Sequence, residues 1–180
     1  MKPFNVARLS ILTALALILA LLPACALSES GASMFRPESM VSAYNDATPK
    51  FLEAVGLDSE TARNAVPSFQ LELQSDSDGK LVYTNSDSTV VLTYTADSPS
   101  SLADTFTLWA NLGDDSKWKN IPLIAFAYTA LTNGMDGVGP EFFDWVNVKK
   151  DDGSTFEVDA FSGYYTITDF QECCFTFTRK

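Results

Sequence analysis

The sequence predicts an α+β domain in which helices pack on one face of an antiparallel β-sheet. Two observations lead to this class. Some stretches alternate apolar and polar residues with a period of two, which is typical of half-buried strands, and others place apolar residues at helical spacing. The stretches follow the order helix, four strands, two helices, three strands, and helices laid on one face of such a sheet are the expected packing.

The first helix is predicted over residues 36–57, "RPESMVSAYNDATPKFLEAVGL". Pro37 suits the first turn of a helix, and the Glu38 carboxylate complements the positive N-terminal end of the helix dipole. Pro49 has no backbone N–H, so it is expected to kink or restart the helix, with Thr48 available as a new N-cap.

Four strands are predicted after this helix, because the apolar period changes to two from Phe69 onward. The pair Asp78 and Gly79 is a strong signal for a hairpin turn between the first two strands. The four segments are "FQLELQ", "KLVYT", "TVVLTYT" and "TFTLWA".

Two helices are predicted next. Residues 121–134, "IPLIAFAYTALTNG", are apolar nearly all round and predict a buried central helix that ends before a glycine. Residues 139–150, "GPEFFDWVNVKK", have glutamate near the start and lysines at the end, an order that suits the helix dipole. The core face of this second helix is expected to carry Phe142, Trp145 and Val146.

Three strands close the chain, in the segments "TFEVDAF", "YYTIT" and "CCFTFT", after a turn at 152–153. In the last segment, side-chain alternation predicts Cys173 in the core and Cys174 on the accessible side. A disulfide between these neighbours would be strained, because Cα atoms joined by one peptide lie only about 3.8 Å apart.

The first residues have the zones of a secretory signal peptide. Lys2 and Arg8 give a positive start. Residues 11–22 form an uncharged apolar run that is shorter than the about 20 residues a transmembrane helix needs. This run therefore predicts export.

Two cleavage sites after the apolar run stay open. Leu22, Pro23, Ala24 and Cys25 resemble the bacterial lipobox, in which a diacylglyceryl lipid is attached to the cysteine and the chain is cut before it. Two or three acyl chains on Cys25 would anchor the protein stably to the membrane. The alternative is ordinary cleavage after Ala26, which would release a fully secreted protein.

The predicted organisation is a signal peptide over residues 1–24, a flexible tether over 25–36 and a single α+β domain over 37–180. With the lipobox, the leading helix, the β-meander, the "PLIAFAYTAL" helix and the closing hairpin, this layout resembles a class of small bacterial cell-envelope lipoproteins of uncharacterised function. The resemblance implies an extracytoplasmic protein attached to the cell membrane by lipid, and it transfers no catalytic residue.

The composition disfavours several classes of function. The chain has no histidine, which removes Ser-His-Asp and Cys-His catalysis and the commonest zinc sites, and we expect no cofactor. The net charge of −11 becomes −13 without residues 1–24, which contain two basic and no acidic residues. Because a field of this sign repels phosphates, nucleic acid is not an expected partner, and membrane attachment is expected through the acyl anchor on Cys25.

Acidic and glycine-rich segments give weak signals for chemistry. The turns at 75–80 and 151–153 do not place acidic residues where a calcium loop requires them. Residues 134–141, "GMDGVGPE", lack the Lys-Ser/Thr pair of a phosphate loop and read as a connection between helices. Glu141 and Asp144 share a helix face, but no carboxylate pair outranks another as an acid–base pair.

Aromatic side chains on strands are the remaining candidates for ligand contact. They are Trp109, Tyr164 and Tyr165, which lie in alternating segments where neighbouring residues point to opposite faces. An exposed tryptophan or tyrosine beside carboxylates would suit a sugar or peptide ligand. The alternative is that all three tryptophans of the chain lie in the core.

Two functions of different class follow. The first is a secreted, lipid-anchored, non-enzymatic binding or interaction module for a protein or glycan. The second is a carboxylate-dependent hydrolase that acts on cell-envelope polymer. Two close, buried carboxylates with raised pKa in a cleft would favour the hydrolase, and an apolar groove without them would favour the binding module.

Overall fold

A computed structural model of the chain describes residues 33–54, 60–61, 64, 68–111, 121–147, 151–168 and 172–180. Their elements confirm the predicted α+β class and the predicted element order. The helices are α1 (Pro37–Ala54), α2 (Ile121–Thr132) and α3 (Pro140–Asn147), with a 3₁₀ turn (Met135–Gly137) between the last two. The strands are β1 (Glu72–Ser77), β2 (Lys80–Thr84), β3 (Val90–Thr95), β4 (Thr105–Asn111), β5 (Thr155–Glu157), β6 (Phe161–Thr168) and β7 (Glu172–Arg179).

The strands form one antiparallel sheet in the order β1-β2-β3-β4-β7-β6-β5. β4 and β7 pair along their whole length, from Thr105 opposite Thr178 to Asn111 opposite Glu172. The last strand of the chain therefore lies in the middle of the sheet, where it joins the N-terminal meander to the C-terminal hairpins.

The helices pack on the same face of this sheet, above a layer of aromatic rings. Phe106 of β4 and Phe177 of β7 stack with ring centroids 4.6 Å apart. Phe126 of α2 lies 6.1 Å from Phe106, and Phe142 of α3 lies 6.0 Å from Phe177. Each such pair adds about 0.5–1.5 kcal/mol beyond its burial, so the rings hold the helical layer to the sheet.

The predicted restart of α1 at Pro49 is wrong, because the helix runs through this proline to Ala54. Thr48 does not act as an N-cap. Its buried hydroxyl instead donates a hydrogen bond to the Tyr44 carbonyl oxygen one turn earlier, at 2.8 Å. A hydroxyl that bonds back into its own helix is satisfied without ending that helix.

Asn45 ties α1 to the start of the sheet. Its side-chain Nδ2 donates to the Leu71 carbonyl at 3.0 Å, and the Leu71 N–H donates to Asn45 Oδ1 at 2.9 Å. The amide thus pairs with both backbone groups of Leu71, just as a neighbouring strand would. This contact fixes where β1 begins and how close it lies to α1.

Two strand boundaries differ from the sequence-based prediction. The first strand was expected from Phe69, but that residue is helical and β1 begins at Glu72. All six residues of β1 are exposed, because the strand lies at the edge of the sheet. The predicted strand "TFEVDAF" is interrupted by a bend at 159–160, which leaves β5 only three residues long.

A glycine in β6 makes room for the tryptophan of α3. A Cβ atom added to Gly163 would lie 3.0 Å from Trp145 Cη2 and 3.1 Å from Cζ3. The Trp145 indole N–H donates to Ser154 Oγ at 3.1 Å, which orients the ring over the sheet. The absent side chain therefore lets α3 approach the C-terminal hairpins closely.

The described chain begins with a buried segment held by Asp136. The carboxyl group of Asp136 accepts hydrogen bonds from Ser33 Oγ at 2.8 Å and from the Met34 N–H at 2.7 Å. The side chains of Met34 and Phe35 are fully buried beside this contact. Asp136 has a left-handed backbone with φ of 50°, and it joins the start of the domain to the connection between α2 and α3.

Candidate functional site

The side of the sheet opposite the helices carries one charged side chain, Glu172 at the start of β7, over the four strands β3, β4, β7 and β6, and we call this surface the open face. Its residues alternate with the buried residues of the core, so they point away from the helices. It consists of Val91, Thr93 and Thr95 of β3, Thr105, Thr107, Trp109 and Asn111 of β4, Glu172, Cys174, Thr176 and Thr178 of β7, and Ser162, Tyr164, Thr166 and Thr168 of β6.

The strand register arranges the open face in rows. One row aligns Thr93, Thr107, Thr176 and Tyr164 across β3, β4, β7 and β6. Directly opposed residues on neighbouring strands have Cβ atoms about 4.5–5.5 Å apart, so these hydroxyl groups form a closely spaced line. A hydroxyl can both donate and accept hydrogen bonds, and this row therefore offers both functions without any charge.

Trp109 lies in the next row of the open face, directly between Val91 of β3 and Cys174 of β7. Its side chain is half-buried, whereas that of Tyr164 is 47% exposed. One strand separates the two aromatic residues, and they are offset by two residues along the strands. From standard strand spacings, their Cα atoms are about 12 Å apart.

The third predicted aromatic contact residue lies in the core. Tyr165 is only 6% exposed and its ring packs against Phe175, with centroids 5.0 Å apart, on the helix-covered face. The structure therefore brings Trp109 and Tyr164 to one surface and places Tyr165 on the other. Trp145 packs against the core, as noted above.

The two neighbouring cysteines lie on opposite sides of the sheet, as the alternation predicted. Cys173 is buried and Cys174 is half-buried on the open face, and both are free thiols. Burial raises the pKa of the Cys174 thiol, while hydrogen bonds with Thr176 and Thr166 act in the opposite direction. A raised pKa keeps the thiol protonated at neutral pH, so Cys174 adds no charge to the open face.

Within the part of the chain that the structure describes, the carboxylates considered for a hydrolase are not gathered in a cleft. Glu141 and Asp144 are both exposed on α3. Burial raises the pKa of the Asp136 carboxyl, and hydrogen bonds from Ser33 and Met34 partly offset this shift. Because Asp136 binds the start of the domain through both oxygens, its position is explained by folding.

A mostly apolar groove of about 460 Å³ lies at the β1 edge of the sheet. It is lined by Val41 and other residues of α1, by Leu73 of the edge strand and by Tyr83 of β2. Sequence reasoning missed this groove, because the alternation in "FQLELQ" puts Leu73 on the apolar side of a strand, whereas its side chain is 46% exposed.

The sequence contains a signal for the open face that strand prediction did not use. The pattern Thr-x-Thr recurs in β3, β4 and β7, at 93–95, 105–107 and 176–178. Each repeat was interpreted as the polar side of a strand. Only the register brings the three pairs side by side on one surface.

Cys25, the predicted lipidation site, lies outside the residues that the structure describes. Within the described ranges, no helix has both the length and the apolar character needed to cross a membrane. The same ranges contain no cluster of three or more Cys, Asp or Glu side chains suited to hold a metal ion. Comparison of the chain with models of protein families, with curated proteins and with solved structures finds no match.

Proposed function

We propose that the protein is a non-enzymatic binding module, held on the outer side of the cell membrane by lipid on Cys25, whose open face binds a neutral glycan of the cell envelope. The observation that carries this proposal is the hydroxyl-rich surface around Trp109, which has Glu172 as its single charged side chain on a chain of net charge −11.

The chemistry of the open face suits a neutral ligand rich in hydroxyl groups. Rows of threonine hydroxyls can donate to and accept from sugar hydroxyls. The rings of Trp109 and Tyr164 offer apolar surfaces, each with a polar group, on which the faces of sugar rings can pack. Because Glu172 is the single charged side chain of this surface, most charges of a highly charged ligand would lie over it without a partner, and that cost favours an uncharged ligand.

The groove beside β1 also favours binding over catalysis, because its lining is mostly apolar and includes a single carboxylate, Glu38. Among the described residues, no observation favours the carboxylate-dependent hydrolase. Glu141 and Asp144 are exposed, and Asp136 is engaged by Ser33 and Met34.

Co-sedimentation of the full-length chain with insoluble neutral polysaccharides and with purified peptidoglycan tests the role of the open face. We expect Trp109→Thr to lower the affinity at least about tenfold, because a central aromatic side chain usually dominates such an interface. Tyr164→Ser should weaken binding to a smaller extent. Leu102→Ser serves as the control for Tyr164→Ser, because Leu102 is not part of the open face and is 43% exposed, close to the 47% of Tyr164.

Alkylation of Cys174 gives an independent readout for the same experiment. Bound glycan should slow the reaction of Cys174 with iodoacetamide, followed by mass spectrometry at mildly alkaline pH. Equal affinity of Trp109→Thr and the unmodified sequence, or unchanged alkylation at saturation, would contradict the proposal. If a pull-down from native membranes captured a protein and Trp109→Thr abolished that capture, the ligand of the open face would be a protein and the proposed glycan would be wrong.

Mass spectrometry of the mature N-terminus tests the membrane anchor separately. We expect Cys25 to be the first residue and to carry acyl chains. An unmodified chain that begins at Leu27 would contradict the anchor and support full secretion. Neither result depends on what the open face binds.

A further inference from the structure

We propose that the outer edge of β1 and the adjoining groove bind an extended basic polypeptide, which adds to the sheet as a further strand. This site is separate from the open face, and its ligand is independent of the function proposed above.

The backbone of β1 is available for such an addition. β1 is the terminal strand of the sheet, and within the described ranges it pairs only with β2. Alternate residues of an edge strand direct their N–H and C=O groups away from the neighbouring strand, where they can pair with an incoming peptide. Asn45 already occupies both backbone groups of Leu71, so the free edge begins at Glu72.

The groove gives a docked strand a place for apolar side chains. It lies between the first turns of α1, represented by Val41, and the exposed side chain of Leu73 on β1. Tyr83 of β2 and Pro99 also line it. Because side chains of a strand alternate, a peptide paired with β1 would direct every second residue over this apolar lining.

The charge around the groove selects a basic ligand. Glu38 lines the groove, and Glu72 and Asp76 belong to β1 itself. Glu38 and Tyr83 line the same groove, and the pKa of Tyr83 is raised by burial and by the negative charges of Asp76 and Glu38. Among the described residues, neither Glu38 nor Asp76 forms an ion pair.

The same charge argues against a second copy of the chain as the occupant. Pairing of two β1 edges would bring Glu72 and Asp76 of one copy against acidic residues of the other, and like charges in close opposition are destabilising. The irregular register between Leu73 and Ser75 adds a local bulge, a device that limits pairing between sheet edges. A short basic segment avoids the charge repulsion, and the bulge leaves it the regular part of the edge from Ser75 to Ser77.

Fluorescence anisotropy with three labelled hexapeptides tests the site on the full-length chain. The probe is an acetylated and amidated peptide of alternating lysine and valine. One comparison peptide replaces lysine with glutamate, and the other replaces valine with serine. We expect saturable binding of the lysine–valine peptide, with at least tenfold weaker binding of both comparison peptides.

Variants locate the binding. Leu73→Ser should weaken the lysine–valine peptide at least fivefold, and the pair Glu38→Gln with Asp76→Asn should do the same and reduce the salt dependence. The pair Glu53→Gln with Asp144→Asn removes the same charge from exposed positions elsewhere and should change the affinity less than twofold. An equal loss of affinity in both double variants would show that the peptide is held by general electrostatic attraction, and it would contradict a binding site at the groove.

N-methylated peptides test whether the ligand adds as a strand. Methylation on one set of alternate residues should abolish binding, whereas methylation on the other set should leave it nearly intact, because only one set of N–H groups faces β1. Full binding of both methylated peptides would overturn strand addition. A dimer of the full-length chain that dissociates on Leu73→Ser would instead assign the groove to a second copy.

Discussion

The hydroxyl group of Tyr94 lies at the centre of the core without a hydrogen-bond partner among the described residues. Its side chain is fully buried, and its ring stacks on Phe106 with centroids 5.0 Å apart. Burial raises the pKa of Tyr94 well above its ordinary value of 10.0, so the phenol stays neutral. A buried polar group without a partner costs about 1–3 kcal/mol, which makes this hydroxyl a local defect in the packing.

We therefore expect Tyr94→Phe to keep or raise stability, by up to about 1 kcal/mol, since the stacked ring remains while the unpaired hydroxyl is removed. Urea unfolding followed by fluorescence would measure the difference. Tyr94→Leu is the matched comparison, because it removes the ring as well and should destabilise the domain. A clear loss of stability in Tyr94→Phe would indicate that the hydroxyl has a partner.

We expect an alanine substitution to lower stability strongly at Gly163 and only slightly at Gly139. Gly163→Ala should destabilise the domain by about 1–3 kcal/mol, because the new Cβ would overlap the rigid indole of Trp145. In Gly139→Ala the new Cβ meets only the carboxylate of Glu141, at 2.6 Å from Oε1, and this exposed side chain can rotate away. Thermal unfolding of both variants tests this, and equal effects would contradict the packing of Trp145 on β6.

At the scale of elements, the contact between α1 and β1 depends on one amide. Asn45→Ala would leave the N–H and C=O of Leu71 without partners next to a buried side chain. We expect a loss of about 1–3 kcal/mol in unfolding free energy, together with faster hydrogen exchange at the Leu71 N–H. Asn147→Ala removes an amide that bonds only within α3, and it should cost less.

The element scale is also where sequence reasoning succeeded best. Alternation identified the strands because one face of the sheet is buried and the other is not, and the uniform apolarity of 121–132 identified the central helix. Two boundaries failed for different reasons. Asn45 fixes the start of β1 through a contact with Leu71, 26 residues away, which has no local signature. Thr48 bonds back to Tyr44 within its own helix instead of capping, a local alternative that the cap prediction did not weigh.

For the whole molecule, the Asp136 contact predicts a dependence of stability on pH. The pKa of this carboxyl is raised above its ordinary value of 3.8, so the folded state holds the proton more tightly than the unfolded state. Stability due to this group is therefore full below about pH 3.8 and is lost as the pH rises through the raised value.

Comparison with Asp136→Asn isolates this effect. The difference in unfolding free energy between the variant and the natural sequence should shift in favour of the variant as the pH rises through this range, and then become constant. Urea unfolding at a series of pH values measures the difference, with Asp144→Asn as the exposed control. A difference that does not change with pH, or that shifts towards the natural sequence, would contradict the raised pKa.

The candidate sites could be predicted only in part, because both depend on pairing between distant segments. Alternation indicates that Trp109 and Leu108 point to opposite faces, but it does not tell which of Tyr164 and Tyr165 joins Trp109. That choice follows from the β4–β7–β6 register. The groove requires α1 to lie beside Leu73, a juxtaposition for which the sequence contains no periodic signal.

The central place of β7 has a consequence for biogenesis. A chain that emerges N-terminus first during synthesis would present the β1–β4 meander while the pairing edge of β4 is still bare, since its partner comes from residues 172–178. Such an edge invites aggregation until it is covered. The domain would thus complete its fold only after residues 172–178 have emerged, and a premature stop just before residue 172 would produce a chaperone client instead of a shortened but working protein.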